Sequence, residues 1–138
     1  MKKIKYRAGY KYQLAEDYWV KTNITPEQSI FTEFFVLSNT GLLFIFSGYA
    51  WDGTSGPVRD TKRNLRASLP HDAFYQAFRM KKLEREKWRK EVDDLFMDMC
   101  VQDGVWKWMA KGYYKTLRVV GGYAADPKNK KKIFTAPK

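Results

Sequence analysis

Apolar and polar positions alternate along the first half of the chain, whereas in the second half the apolar positions return every three or four residues. Around Tyr12, Leu14, Tyr18 and Val20 the alternation is loose and predicts extended chain from Lys11 to Thr22. Asn23 to Gln28, with Pro26, reads as a loop. Ser29 to Leu37 is rich in aromatic and β-branched residues, Ser38-Asn39-Thr40-Gly41 is a turn signal, and Leu42 to Phe46 is again apolar, so the two runs predict a hairpin. Gly48 to Asp60 carries glycines and Pro57 and predicts a loop leading from the strands into the helices, a usual place for a site on such folds.

Three helices are expected after it. Leu65 to Phe78 forms the first, with Pro70 inside it. Proline lacks an N–H and clashes with the preceding turn, so the helix kinks there, or Ser68 caps a start that puts Pro70 in the first turn. Glu84 to Gln102 places Trp88, Val92, Leu95, Phe96 and Met99 on one face and stops at Asp103-Gly104. Val105 to Val120 carries Trp106, Met109, Tyr113, Leu117 and Val120 on a shared stripe, and Gly121-Gly122 is expected to end it. The expected fold class is α+β, with N-terminal antiparallel β-hairpins or a small sheet packed on a C-terminal bundle of about three helices. Residues 1–125 are read as a single domain and 126–138 as a basic tail.

Composition adds charge to this picture. In 138 residues there are 26 Lys and Arg against 15 Asp and Glu, a formal charge of +11, which favours nucleic acid, anionic lipid or an acidic protein surface as partner. The same balance is common in proteins that bind none of these, and a nucleic-acid role is not the favoured reading. Aromatic residues make up 17% of the chain, more than a core of this size needs, so some rings are free for a partner. Trp106-Lys107-Trp108 and Tyr113-Tyr114-Lys115 have the interleaving that stacks bases; the blander expectation is that alternate rings are core and the lysines face water. In the tail, Lys128, Lys130, Lys131 and Lys132 precede Ile133 and Phe134; the default reading is a solvated arm, and the alternative makes Ile133-Phe134 a docking anchor on a partner. The basic start, Met1 to Arg7, is followed by no apolar run of signal length, and the longest apolar stretch is strand-sized, so no membrane span is expected. Cys100, the single cysteine, lies in an apolar helical pattern and reads as a buried small hydrophobe in a reducing compartment.

The candidate chemistry sits in three segments: Gly48 to Pro57 (Gly-Tyr-Ala-Trp-Asp-Gly-Thr-Ser-Gly-Pro), His71-Asp72-Ala73-Phe74-Tyr75, and Val92-Asp93-Asp94-Leu95-Phe96. His71 shares a helical face with Phe74 and Phe78, so its imidazole starts on the apolar side and needs polar partners there. If the loop folds onto the helices, Asp52 and Asp93 converge on His71. Asp52, His71 and Asp93 are then candidate metal ligands for Zn, Mn, Fe or Mg, with Ser55 or a water completing the shell and Asp72 and Tyr75 as further binding groups. Such a centre would activate water for hydrolysis of a phosphoester, amide or glycosidic bond. Without metal, His71 would be a general base oriented by Asp72 or Asp93. The competing reading is a structural hydrogen-bond network, because neighbours such as His71 and Asp72 point in different directions on a helix and the chain has no second histidine. Arg59, Arg63 and Arg66 also offer ion-pair partners to the same carboxylates.

In order and spacing the three segments resemble a family widespread in bacteriophages and prophages, catalogued as domain of unknown function 1353. Its pattern is a Gly-aromatic-x-x-Asp-Gly-small-Ser-x-Pro loop after a hairpin, then a helix with His-Asp-x-x-Tyr, then one with Asp three residues before Phe. Asp52, Gly53, Ser55 and Pro57 match the loop, His71, Asp72 and Tyr75 the first helix, and Asp93 and Phe96 the second. The likeness covers Gly41 to Gly122; Pro70 and Gly56 stand where the family has aliphatic residues. It implies a phage origin more than a chemistry. The function expected first is a virion, assembly or host-interaction component with a structural polar cluster, made in the host cytoplasm, incorporated in the particle, and joined to other phage structural proteins through the tail. A small metal-dependent hydrolase of cell wall or nucleotide is the second reading. A nucleic-acid or nucleotide binder countering host defence is the third.

Overall fold

A computed structural model of the chain describes residues 4–6, 11–54, 58–129 and 134–136. Seven short strands precede three helices: β1 (Ile4–Tyr6), β2 (Tyr12–Gln13), β3 (Tyr18–Lys21), β4 (Ile30–Phe31), β5 (Phe35–Leu37), β6 (Leu42–Ile45), β7 (Ala50–Trp51), α1 (Leu65–Arg79), α2 (Arg85–Gln102) and α3 (Lys107–Ala125). A last strand, β8 (Phe134–Ala136), closes the chain. The class is α+β, as the change of period along the sequence predicts.

Strands β3, β6, β5 and β4 form an antiparallel sheet in that order. The predicted hairpin is β5–β6, with Leu37 opposite Leu43. The apolar run before it is not one strand. At Thr32 the chain folds back, because its side-chain oxygen accepts from the Phe34 and Phe35 amides at 3.1 and 2.9 Å and lets β4 pair with β5. Alternation then sorts the side chains. Phe35, Leu37, Leu43 and Ile45 point inward and are buried, while Trp19, Phe44, Val36 and Phe31 form a cross-strand row on the outer face.

Helix α1 lies between this sheet and the other two helices. Ten of its fifteen residues are buried, as packing on both sides requires. Phe74, Phe78, Leu69 and Ala73 meet the sheet residues in the main core, and Phe96, Met99, Cys100, Ala110 and Leu117 form a second cluster among the helices. Cys100 is buried there, and burial pushes its thiol up to about 12, so it behaves as a small hydrophobe.

Several boundaries differ from expectation. Ala50–Trp51, expected in a loop, pairs with β2, because Tyr12 and Leu14 supply a strand edge for it. Helix α1 starts at Leu65 and runs through Pro70; Ser68 is no cap but accepts from Trp51 Nε1 at 2.9 Å and donates to the Leu65 carbonyl. Helix α3 passes through Gly121-Gly122 and ends at Ala125. Trp106 and Val120, expected on its buried stripe, are exposed, as is Trp108. Arg66 turns away from the loop and forms a two-pronged pair with Asp103 at 2.8 and 2.9 Å.

The segment after Ala125, expected as a free arm, begins with a short 3-10 turn, and its strand β8 pairs with β1, Ile4 facing Ala136. Pairing satisfies backbone groups that a solvated arm would leave to water. Lys128 is exposed; Lys130, Lys131, Lys132 and Ile133 lie outside the described residues, and Phe134 belongs to β8. Among the described residues no helix is long and apolar enough to cross a membrane.

Candidate functional site

The three segments singled out by their residues do not converge on one centre. They separate into three networks. Each can be followed from the element that positions it.

The deepest is built on Asp93. Its place on the inward face of α2 follows from the Val92–Phe96–Met99 stripe, which buries position 93 with them. His71 and Tyr75 lie one turn apart on α1 and face it: Asp93 Oδ1 is 2.8 Å from His71 Nε2 and accepts from the Tyr75 hydroxyl at 2.7 Å. From α3, Arg118 Nη1 donates to Asp93 Oδ2 at 2.9 Å, and Arg89 Nη1 stands 4.0 Å from the same oxygen. All three helices therefore meet at one carboxylate. Asp93 is 0% and His71 3% exposed. The imidazole is stacked on the Tyr75 ring at 4.2 Å between centroids and meets the Phe96 ring at 5.3 Å. Burial by itself would raise the Asp93 carboxyl, but the hydrogen bonds of His71, Tyr75 and Arg118 and the charge of His71 outweigh it and hold the group below the usual carboxylate range. Burial, then the Asp93 charge, pushes the Tyr75 phenol up, so it stays a donor.

This approach depends on Gly121. A Cβ there would stand 2.4 Å from the Tyr75 hydroxyl and 2.9 Å from Arg89 Nη1. Arg89 crosses the same stretch of α3 and donates to the Leu117 and Arg118 carbonyls at 3.2 and 3.3 Å. The glycine that reads as a helix stop is a point of close packing inside the helix.

Asp72 points elsewhere. Its Oδ2 lies 3.0 Å from the Tyr49 hydroxyl, which also meets the Gln76 side chain at 2.8 Å, so this second network joins the first turn of the loop to α1. Burial raises the Asp72 carboxyl above its ordinary range, against the opposing charge of Arg79 and the Tyr49 hydrogen bond.

The third network holds the loop. Asp52 does not reach His71; its Oδ1 accepts from the Lys11 backbone amide at 3.0 Å, because β7 pairs with β2 and carries the following residue along that edge. The organising carboxylate is Asp60. Its Oδ1 accepts from the Thr54 amide at 2.8 Å, and its Oδ2 from the Tyr12 hydroxyl at 3.0 Å and Lys11 Nζ at 3.2 Å. Gly53 has a φ of +87° and leaves space only a glycine can leave, since a Cβ would come within 2.6 Å of the Asp60 carboxyl group. Burial would raise the Asp60 carboxyl; the bonds from Thr54, Lys11 and Tyr12 bring it below the ordinary value instead. Asp60→Ala is therefore expected to lower stability by about 1–2 kcal/mol, the range for losing hydrogen bonds to a partly exposed charged acceptor. Urea unfolding of both proteins measures it, and equal midpoints would remove Asp60 from this role.

The metal centre expected at Asp52, His71 and Asp93 thus lacks its convergence. Among the described residues no three His, Cys, Asp or Glu side chains gather at metal-binding range. Ser55, the expected hydroxyl partner, and Pro57 lie outside the described residues. Of the candidates, His71, Asp93 and Tyr75 come together, while Asp72 bonds to Tyr49 and Asp52 to the Lys11 amide. Arg118, Arg89, Gly121 and Asp60 were not singled out. Asp60 alone carried a local signal, an acid closing a glycine-bearing loop. A groove of about 470 Å³ opens away from all three networks, between β4 and the start of α2, lined by residues including Pro26, Ile30, Phe31, Leu83, Lys87 and Trp88. No family model, no curated protein and no solved structure matches this chain.

Proposed function

We propose that the chain is a binding protein without catalytic activity, of the kind that serves phage assembly or acts on host components, and that the Asp93 network is a clasp holding its helices together. One observation carries this reading: the Asp93 carboxylate is fully enclosed, with one oxygen taken by His71 and Tyr75 and the other by Arg118. A general base must reach the proton it removes, and here the imidazole is buried between Tyr75 and Phe96. A cation at this carboxylate would have to displace an arginine. The phage attribution comes from the likeness of the Asp52, His71 and Asp93 segments.

A hydrolase remains the second reading because His71 Nε2 sits 2.8 Å from Asp93, the spacing of a base and its orienting acid. Elemental analysis of untagged protein, together with thermal unfolding of His71→Ala, separates the two. Under the first reading the protein binds no stoichiometric Zn or Mn and the variant melts well below the parent. One equivalent of metal, lost in His71→Ala, would reverse the assignment. Detection of the protein in purified particles would place it among virion components.

A further inference from the structure

Helix α3 has four basic residues, Lys107, Lys111, Lys115 and Arg118, and no acidic one. Arg118 is engaged by the buried Asp93. The three lysines are exposed at successive four-residue intervals, and no ion pair among the described residues includes them. Beside this cationic row runs an apolar one. At 3.6 residues per turn, positions 108 and 119 lie within about 20° of each other around the axis, next to the lysine row. Trp108 is 66% and Val119 83% exposed, and Trp106, just before the first turn, is 65% exposed. The opposite face of the same helix, with Ala110, Leu117 and Gly121, is buried in the protein. The helix is therefore anchored on one side and presents an aliphatic and indole ridge flanked by lysines on the other.

We propose that this outward face of α3 docks on a membrane surface bearing anionic lipid headgroups. Indole rings and aliphatic side chains seat in the boundary between headgroups and acyl chains, while a flanking row of lysines meets phosphate charges; both rows point the same way here. Two other occupants fit less well. Single-stranded nucleic acid needs aromatic platforms, and the Trp106 and Trp108 rings are tilted 47° to each other, while Val119 has no π-face to offer. A second copy docked about a two-fold axis would set one lysine row against the other. The proposal rests on the reading of the chain as a binding protein and names its partner.

Flotation of the full chain with phosphatidylcholine vesicles, with and without phosphatidylglycerol, tests it. The protein is expected to float with the anionic vesicles and not with the neutral ones, and to dissociate as salt is raised. Replacing Lys107, Lys111 and Lys115 by Gln should weaken binding about 100-fold, near fivefold per lysine. Trp108→Ser with Val119→Ser should abolish flotation, with circular dichroism showing an intact fold, as expected for exposed positions. No flotation of the parent protein overturns the proposal, as does flotation that both variants leave unchanged. So does retention of a single-stranded oligonucleotide in place of vesicles, or a dimer in light scattering that Trp108→Ser disperses. None of these outcomes restores the hydrolase reading, which stands or falls on metal content and turnover.

Discussion

Asp93→Ala is expected to destabilise the protein by about 3–5 kcal/mol, the range measured when one partner of a buried charged network is removed. Roughly 10 °C or more would be lost from Tm in a chain of this length. The reason lies in what the variant leaves behind: His71, Tyr75 and Arg118 keep their polar atoms where the carboxylate satisfied them at 2.7–2.9 Å. Asp93→Asn keeps the shape and loses the charge, so it should fall between the two. Acid titration gives the sign. Because the folded carboxyl is held below its unfolded value, its stabilisation is fully present above the unfolded pKa of about 4 and fades as pH falls through the lower folded value. The gap between parent and Asp93→Asn in denaturant midpoint should therefore be widest near neutral pH and narrow in acid. A gap that stayed constant would show that charge is not what the network contributes.

Gly121→Ala is the second large expectation, a loss of about 1–2 kcal/mol. Overpacking a closed site costs about 1–3 kcal/mol, and replacing glycine by alanine in a helix returns up to about 1 kcal/mol. The new methyl would run into a Tyr75 hydroxyl that is fixed by Asp93 and buried, so the neighbour has little room to give. Two controls isolate the cause. At Gly112 a Cβ would meet nothing within 4 Å, and at Gly122 only Arg89 at 4.0 Å, so alanine at either place should leave stability equal or raise it. Thermal melts of the three variants in one buffer decide the matter. A stabilised Gly121→Ala would mean that α3 and α1 are not in the close contact described.

These expectations concern residues that were legible to different degrees. Helix α2 could be read almost to its ends, because Trp88, Val92, Phe96 and Met99 repeat with the helical period and local periodicity alone defines such an element. The hairpin around Ser38 to Gly41 was equally plain, its turn residues lying between two apolar runs. His71 stood out as a polar group on an apolar face in need of a partner, and Asp93, one of the carboxylates named for it, is that partner.

What local pattern could not carry was the pairing of distant surfaces. Asp52 was assigned to the imidazole because the loop ends at the helices, yet strand pairing between Tyr12 and Trp51 turns it toward Lys11. Arg118 shares no local pattern with Asp93, 25 positions away. Gly121 has the look of a helix stop, and only the crossing of Tyr75 and Arg89 over α3 makes it an interior residue. Period and turn chemistry are properties of neighbours along the chain, so the α+β class, the long helices and the need to bury His71 were determined by the sequence itself. Which carboxylate meets the imidazole, and which aromatic rings of α3 stay in solvent, was decided only by tertiary packing, because a helix buries the face its neighbours cover and its own periodicity does not name them.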